Sequence, residues 1–230
     1  MSSIGEMKDG EHLLRGKTTS ELIAGGDVMS AIWFAWTGES PSSSVQKILS
    51  ACFIACLDHG EEPPSARVAR ITASCGKPMA DAVAAGLLTL GPRHGNAAGA
   101  ASVWVREAVA SGESAEMVAT RTLEEKKKLS GLGHPVYEID PRAQSLFNIE
   151  KKELTKTPHA DFISEVSKVM SEKKGKALPV NVDGALGAIM ADLGAPAELA
   201  DALFIASRTV GLILHAREEA SASDSYLRGK

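Results

Sequence analysis

Apolar residues in this chain recur three and four positions apart and nowhere alternate with a clear period of two, which restricts the fold to packed helices. Across 44–58, Val45, Ile48, Leu49, Cys52, Phe53, Cys56 and Leu57 fall on one helical stripe, and Gly60 ends it. The same reading predicts helices over 77–90, 97–110, 115–129, 141–154, 160–171, 184–193 and 197–219. Between them, Gly131, Gly133, Pro135 and Pro141 cannot all sit inside a helix, so 131–141 is irregular. Aromatic residues make up only 4% of the 230 residues, too few for the strands of a sandwich or barrel. The expected fold class is all-α, in one or two domains.

Charge and cysteine usage remove several function classes. A formal net charge of −4 gives no global positive field, so neither nucleic acid nor an anionic membrane surface is an expected partner. Residues 1–17 mix acids, lysines and a histidine with apolar residues and form no signal core, and no uncharged run is long enough to span a bilayer. Cys52, Cys56 and Cys75 lack the spacing of a disulfide framework, which fits a reducing, cytoplasmic location. Gly10 to Thr18 imitates a phosphate-binding loop but has five residues between its glycines instead of four. Gly131-Leu-Gly133 lacks the third glycine of a dinucleotide fingerprint, and no histidine has a zinc-site neighbour. No metal and no tightly bound cofactor are expected.

Ionisable residues gather where glycine and proline force irregular backbone, the places where rigid scaffolds present side chains to ligands. Asp58-His59-Gly60 closes a helix, where a histidine can meet the last carbonyls. His94 stands between Gly91 and Gly95, just before an Ala-rich helix, where an imidazole and backbone donors could converge on a developing negative charge. The segment from Gly131 to Arg142 combines a loop, His134 and an arginine. Asp183, just before a helix, reads on its own as an N-cap. Arg208 interrupts an otherwise apolar helix, and a buried guanidinium needs a carboxylate or phosphate partner, which could be a substrate.

In order along the chain, Asp58-His59-Gly60, Gly86-Leu-Leu-Thr-Leu-Gly91, Gly131-Leu-Gly-His134, Asn181-Val-Asp183-Gly184 and Ser207-Arg208-Thr-Val-Gly211 resemble the citrate synthase superfamily. Within it they look most like the citryl-CoA lyase module that ends ATP citrate lyase. The resemblance implies a larger helical domain from 1–96 and 185–230, a smaller helical domain from 97–184, and an active-site cleft between them. It implies a homodimer or a tetramer of dimers whose substrates are a CoA thioester and a 2-oxo or tricarboxylic acid. It makes Asp183 the acid or base at the thioester α-carbon, His94 the donor to the thioester oxygen, and His134 the group at the oxygen of the quaternary carbon. His59, Arg142 and Arg208 would hold carboxylates, and Gly131, Leu132 and Gly133 would contact CoA. The implied reaction is cleavage of citryl-CoA to acetyl-CoA and oxaloacetate. Condensation of an acyl-CoA with a 2-oxo acid is the alternative, and a non-catalytic CoA-binding subunit is a third reading, motivated by Pro135 where many relatives carry arginine. Asn96 stands where a second glycine is common in the family, and Arg228 is only a weak substitute for the arginine of the family's C-terminal extension.

Overall fold

A computed structural model describes residues 4–8, 10–91, 94–95, 97–222 and 227; Asn96 and Arg228 lie outside them. It divides into two compact units, Met1–Ser50 and Ala51–Lys230.

The N-terminal unit opens with a small antiparallel sheet that the apolar pattern did not announce. Strands β1 (Gly5–Lys8), β2 (Glu11–Leu14) and β3 (Lys17–Thr18) pair in sequence order, with Gly5 opposite Leu14 and Leu13 opposite Thr18. No residue of these strands is fully buried, so no face had to be apolar and period two never arose. The imitation phosphate loop is this pair of hairpins. Helix α1 (Thr19–Gly25) starts at a capping box between Thr18 and Glu21, and α2 (Val28–Thr37) is capped by Asp27.

Helix α3 (Ser43–Cys56) runs across the boundary into the second unit. There follow α4 (Pro64–Ser74), α5 (Met79–Leu87), α6 (Ala98–Ser111), α7 (Ala115–Glu124), α8 (Pro141–Glu153), α9 (Pro158–Lys174), α10 (Val182–Asp192) and α11 (Glu198–Ala220). Helices α1 and α2 have no counterpart in the sequence reading; from α3 onward the elements match it within a few residues, with two exceptions. Helix α4 was missed because its buried face is Ser65, Ala66, Ala69 and Ala73, too small to give a hydrophobic signal, and because Pro63-Pro64 reads as a breaker although Pro64 begins the helix. Helix α7 stops at Glu124 rather than 129. Leu123 and Leu129 pack on the same cluster of Ala108, Val118 and Val166, and residues six apart lie on different sides of a helix, so the chain turns between them.

The hub of the second unit is α10. Val182 and every residue from Gly184 to Ala191 are buried, and α6, α8, α9 and α11 pack around it. Among the described residues, α11 alone is long and apolar enough to cross a membrane, but Leu203, Phe204 and Leu212 bury its inner face in this core, and Arg208 lies among them.

One core residue conflicts with its surroundings. Glu150 on α8 is fully buried beside the carboxyl of Asp192 of α10, with no basic group among the described residues paired against it to balance the two acids. Burial, and then the Asp192 charge, push the Glu150 carboxyl up to about 9. The folded state therefore holds this proton more tightly than the unfolded chain, and the stability this contributes is complete below about pH 4.5 and is lost as pH rises toward 9. Glu150→Gln, an isostere of the neutral acid, is expected to match the unaltered protein in urea melts near pH 4.5. By pH 8 it should be distinctly the more stable of the two. Parallel stability curves across that range would refute the assignment.

Candidate active site

A cleft of about 840 Å³ in the second unit gathers side chains from four separate parts of the sequence. His59, His94, His134, Arg142 and Asp183 all line it, with Gly133 at one edge. Each arrives there for a local reason.

Asp183 is not the cap of its helix. Asn181 occupies that position, its Oδ1 accepting the Gly184 amide at 3.1 Å, which leaves Asp183 in the first turn with its carboxyl uncommitted. The Asp183 Oδ1 is buried and has no hydrogen-bond partner, and burial raises the carboxyl to about 6 against the opposing pull of Arg142. A carboxyl poised between its two protonation states near neutrality suits proton transfer in either direction.

His94 is held from behind. Its Nε2 accepts the Ser65 backbone amide at 3.3 Å and lies 2.9 Å from the Ser65 hydroxyl, at the first turn of α4. Because Nε2 is an acceptor, the neutral ring carries its proton on Nδ1. Burial and then Arg208 lower the pKa of the ring, so it is a neutral donor at pH 7. Ser65 is fully buried, and only its contact with His94 distinguishes it from the other small residues of α4.

His134 meets donors at both nitrogens. The Val136 and Tyr137 amides each donate to Nδ1 at 3.1 Å, and an Arg142 Nη lies 3.4 Å from Nε2. Burial lowers the pKa of this ring as well. An imidazole ringed by donors favours its less protonated forms, and two amides on Nδ1 would support a ring that has handed on its Nε2 proton. Arg142 is itself gripped by Asp140, whose Oδ1 accepts from its backbone amide and Nε at 3.0 Å and whose Oδ2 accepts from Nη2 at 2.7 Å. Asp-Pro-Arg at a helix start is the sequence sign of this arrangement: an acidic cap, a proline at the first helical position, and an arginine folded back onto the cap.

The loop of His134 and the helix of Asp183 are joined by backbone. Gly133 donates to the Pro179 carbonyl at 2.7 Å, Asn181 donates to the Gly131 carbonyl at 3.0 Å, and Asn181 Nδ2 donates to the Gly133 carbonyl at 2.9 Å. Gly131 lies so close to Gly184 that a side chain at either would meet the other's backbone, and the Gly131 φ of 86° is one that L side chains rarely adopt. Gly131 and Leu132 therefore serve this ladder, and of the three loop residues only Gly133 reaches the cleft.

His59 and Arg208 supply a second polar patch. The His59 Nε2 is buried without a partner, and burial, then the nearby Arg208 charge, bring its pKa to about 3. Arg208, on α11, is 1% exposed. Its Nε makes a long bond of 3.4 Å to the Cys56 carbonyl, while Nη1 and Nη2 are buried with no partner. Arg208 is not among the lining residues but acts on His59, His94 and Asp183 through its charge. The turn bearing His59 is fastened to the same helix by Asp58, which meets His215 at 2.8 Å and accepts the Gly60 amide at 2.9 Å. Asp140, Ser65, Tyr137 and His215 are the participants that spacing alone did not single out.

Known proteins share this fold. The family profile described as "Citrate synthase, C-terminal domain" matches residues 11–230. The structure of citryl-CoA lyase from Hydrogenobacter thermophilus superposes with a TM-score of 0.91 at 34% identity, covering 96% of this chain and 87% of that one. Citrate synthase from Thermotoga maritima superposes at 0.70 with 26% identity, over 83% of this chain and 52% of the other. ATP-citrate synthase of Mus musculus is 30% identical over 200 residues, 84% of this chain but only 18% of that protein, so the chain spans less than a fifth of it. With the profile matching nearly the whole sequence and the helical architecture agreeing, the chain belongs to the citrate synthase family.

Proposed function

We propose that the protein cleaves citryl-CoA to acetyl-CoA and oxaloacetate. The observation that carries this reading is Arg208: a buried guanidinium with two unpartnered nitrogens, next to an unpartnered His59 nitrogen and behind a cleft that holds a proton-transfer carboxyl. Such a charge is costly unless an anion meets it, and a substrate carboxylate is suited to the planar fork. Arg142, already turned into the cleft by Asp140, would hold a second carboxylate.

In cleavage, His134 enters as the imidazolate that the two amides on Nδ1 and the Arg142 guanidinium favour; its Nε2 takes the hydroxyl proton from the quaternary carbon, giving the neutral ring, as that oxygen becomes the carbonyl of oxaloacetate. The carbon–carbon bond breaks, and its electron pair enters the thioester as an enolate whose oxygen accepts the Nδ1 proton of His94 in a hydrogen bond. Asp183 in its acid form then delivers a proton to the enolate carbon, giving acetyl-CoA. A weakly acidic carbon needs its enolate stabilised in place, so the donor at oxygen and the carboxyl at carbon act together. Condensation runs through the same groups in reverse. Residues 97–184 serve as the smaller domain against 1–96 and 185–230, and closure would exclude water from the enolate. Residues 131–133 would meet the CoA chain, through Gly133 in particular. Exposed Val210, Ile213 and Leu214 on α11 favour self-association.

The test is to incubate the protein with citryl-CoA and couple oxaloacetate to malate dehydrogenase. Loss of NADH absorbance proportional to protein is expected. Absence of signal above a protein-free control, with citryl-CoA intact by chromatography, refutes the reading.

A further inference from the structure

We infer that Tyr137 is a positioning residue for His134, fixing the plane and the tautomer of that ring from two directions. This rests on the proposed role of His134 but on observations separate from it. The Tyr137 ring stacks on the imidazole with centroids 4.5 Å apart and planes inclined by 28°. The amide of the same residue is one of the two donors on the imidazole Nδ1, at 3.1 Å. One residue thus covers a face of the ring and also occupies its rear nitrogen, leaving Nε2 as the only nitrogen available to a substrate.

The surroundings make this more than incidental packing. Tyr137 is 40% exposed, between Val136 at 78% and Ile139 at 67%, in a loop with little core to hold it. An aromatic side chain so placed has scant hydrophobic reason for a fixed position, yet it lines the cleft and lies against the one imidazole on its loop. Arg142 flanks the assembly, its guanidinium carbon 5.9 Å from the Tyr137 centroid and its Nη close to the imidazole Nε2. Offset stacking favours near-parallel rings at this separation. Rotation of the imidazole about its side-chain bonds would break the stack and both amide bonds together, so the ring is confined to one orientation before substrate arrives.

Tyr137 also shields the imidazole from water. The charged groups acting on the ring are Asp140, which favours its protonation, and Arg142, which opposes it, with burial the largest influence of all. Removing the tyrosyl ring leaves both charges in place and lets water reach the imidazole.

The experiment compares the full-length protein with Tyr137→Ala and Tyr137→Phe in citryl-CoA cleavage, alongside the pH titration of His134 followed by ring-nitrogen NMR without substrate. Tyr137→Ala is expected to lower kcat about 10-fold with KM changed less than about twofold, and to move the His134 titration to higher pH. Phenylalanine should recover most of both, since it keeps the stack and the amide. In a His134→Asn background the alanine change should cost no more than about twofold, because its effect runs through that imidazole. A Tyr137→Ala variant with unaltered kcat and an unaltered His134 titration overturns the inference. So does an equal loss in both backgrounds, which would mark Tyr137 as a direct substrate contact or a purely structural residue. If the unaltered protein does not cleave citryl-CoA, the functional reading fails alone, because the titration needs no substrate and still decides the role of Tyr137.

Discussion

Asp183→Asn is expected to lose cleavage and condensation together, each by about 10³-fold, because a positioned general acid or base commonly supplies 10²–10⁴-fold and here one carboxyl serves both directions. The asparagine keeps the shape and removes only the proton inventory, so KM for citryl-CoA should change little. The pH dependence of the unaltered enzyme gives a sharper check. With the carboxyl raised to about 6, the acid form needed for cleavage is depleted above that pH, while the carboxylate needed for condensation is depleted below it. At subsaturating substrate, the Asp183 limb of kcat/KM should fall with pH through about 6 for cleavage and rise through it for condensation. Both limbs should vanish in the variant's residual activity. Profiles of the same sign in both directions would exclude Asp183 as the shared proton carrier.

That carboxyl also marks how far the sequence could be read. Helix periodicity located most of the elements of the second unit, because most of them bury one apolar stripe against neighbouring helices. It failed at α4, whose buried face is serine and alanine, at the short α1, which buries no residue, at α2, whose apolar residues run on with little interruption, and at strands β1–β3, none of whose residues is fully buried. The candidate site was legible as irregular segments rich in histidine and arginine, but their convergence was not, since 59, 94, 134 and 183 are far apart in the chain and only α10 and its neighbours bring them to one cleft. The supporting groups were hidden for another reason. Ser65 and Asp140 look like ordinary residues of a helix start, and their hold on His94 and Arg142 is a matter of side-chain direction, which one-dimensional spacing does not carry. Asp183 shows the same limit at closest range. Its place before a helix suggested a cap, and only the side chain of Asn181, two residues earlier, frees it for chemistry.

Arg208 should separate stability from activity most clearly. With no anion bound, its Nη1 and Nη2 are buried and unpartnered, and burial lowers its pKa despite the opposing influence of Asp58 and Asp183. Replacing such a group by an apolar side chain of similar length removes a desolvation cost, and exchanges of this kind are commonly neutral or stabilising by about 1–4 kcal/mol. Arg208→Met is therefore expected to raise the melting temperature of the ligand-free protein by several degrees, at about 2–4 °C per kcal/mol for a chain of this size. Methionine should retain contact with the Phe204 ring, which lies 5.2 Å from the guanidinium carbon. Cleavage should move the opposite way. A substrate carboxylate that loses a buried charged partner costs about 2–5 kcal/mol, which predicts a fall of roughly 10²–10³-fold in kcat/KM. Arg208→Lys keeps a charge but not the fork and should fall between the two, since one ammonium cannot satisfy a carboxylate and the Cys56 carbonyl from the same place. Thermal shift with a tricarboxylate supplies the linked measurement: the anion should raise the melting temperature of the unaltered protein and leave Arg208→Met unmoved, because only a state that binds the ligand is stabilised by it. A methionine variant that is destabilised yet fully active would make Arg208 a structural residue and remove the carboxylate site from the mechanism.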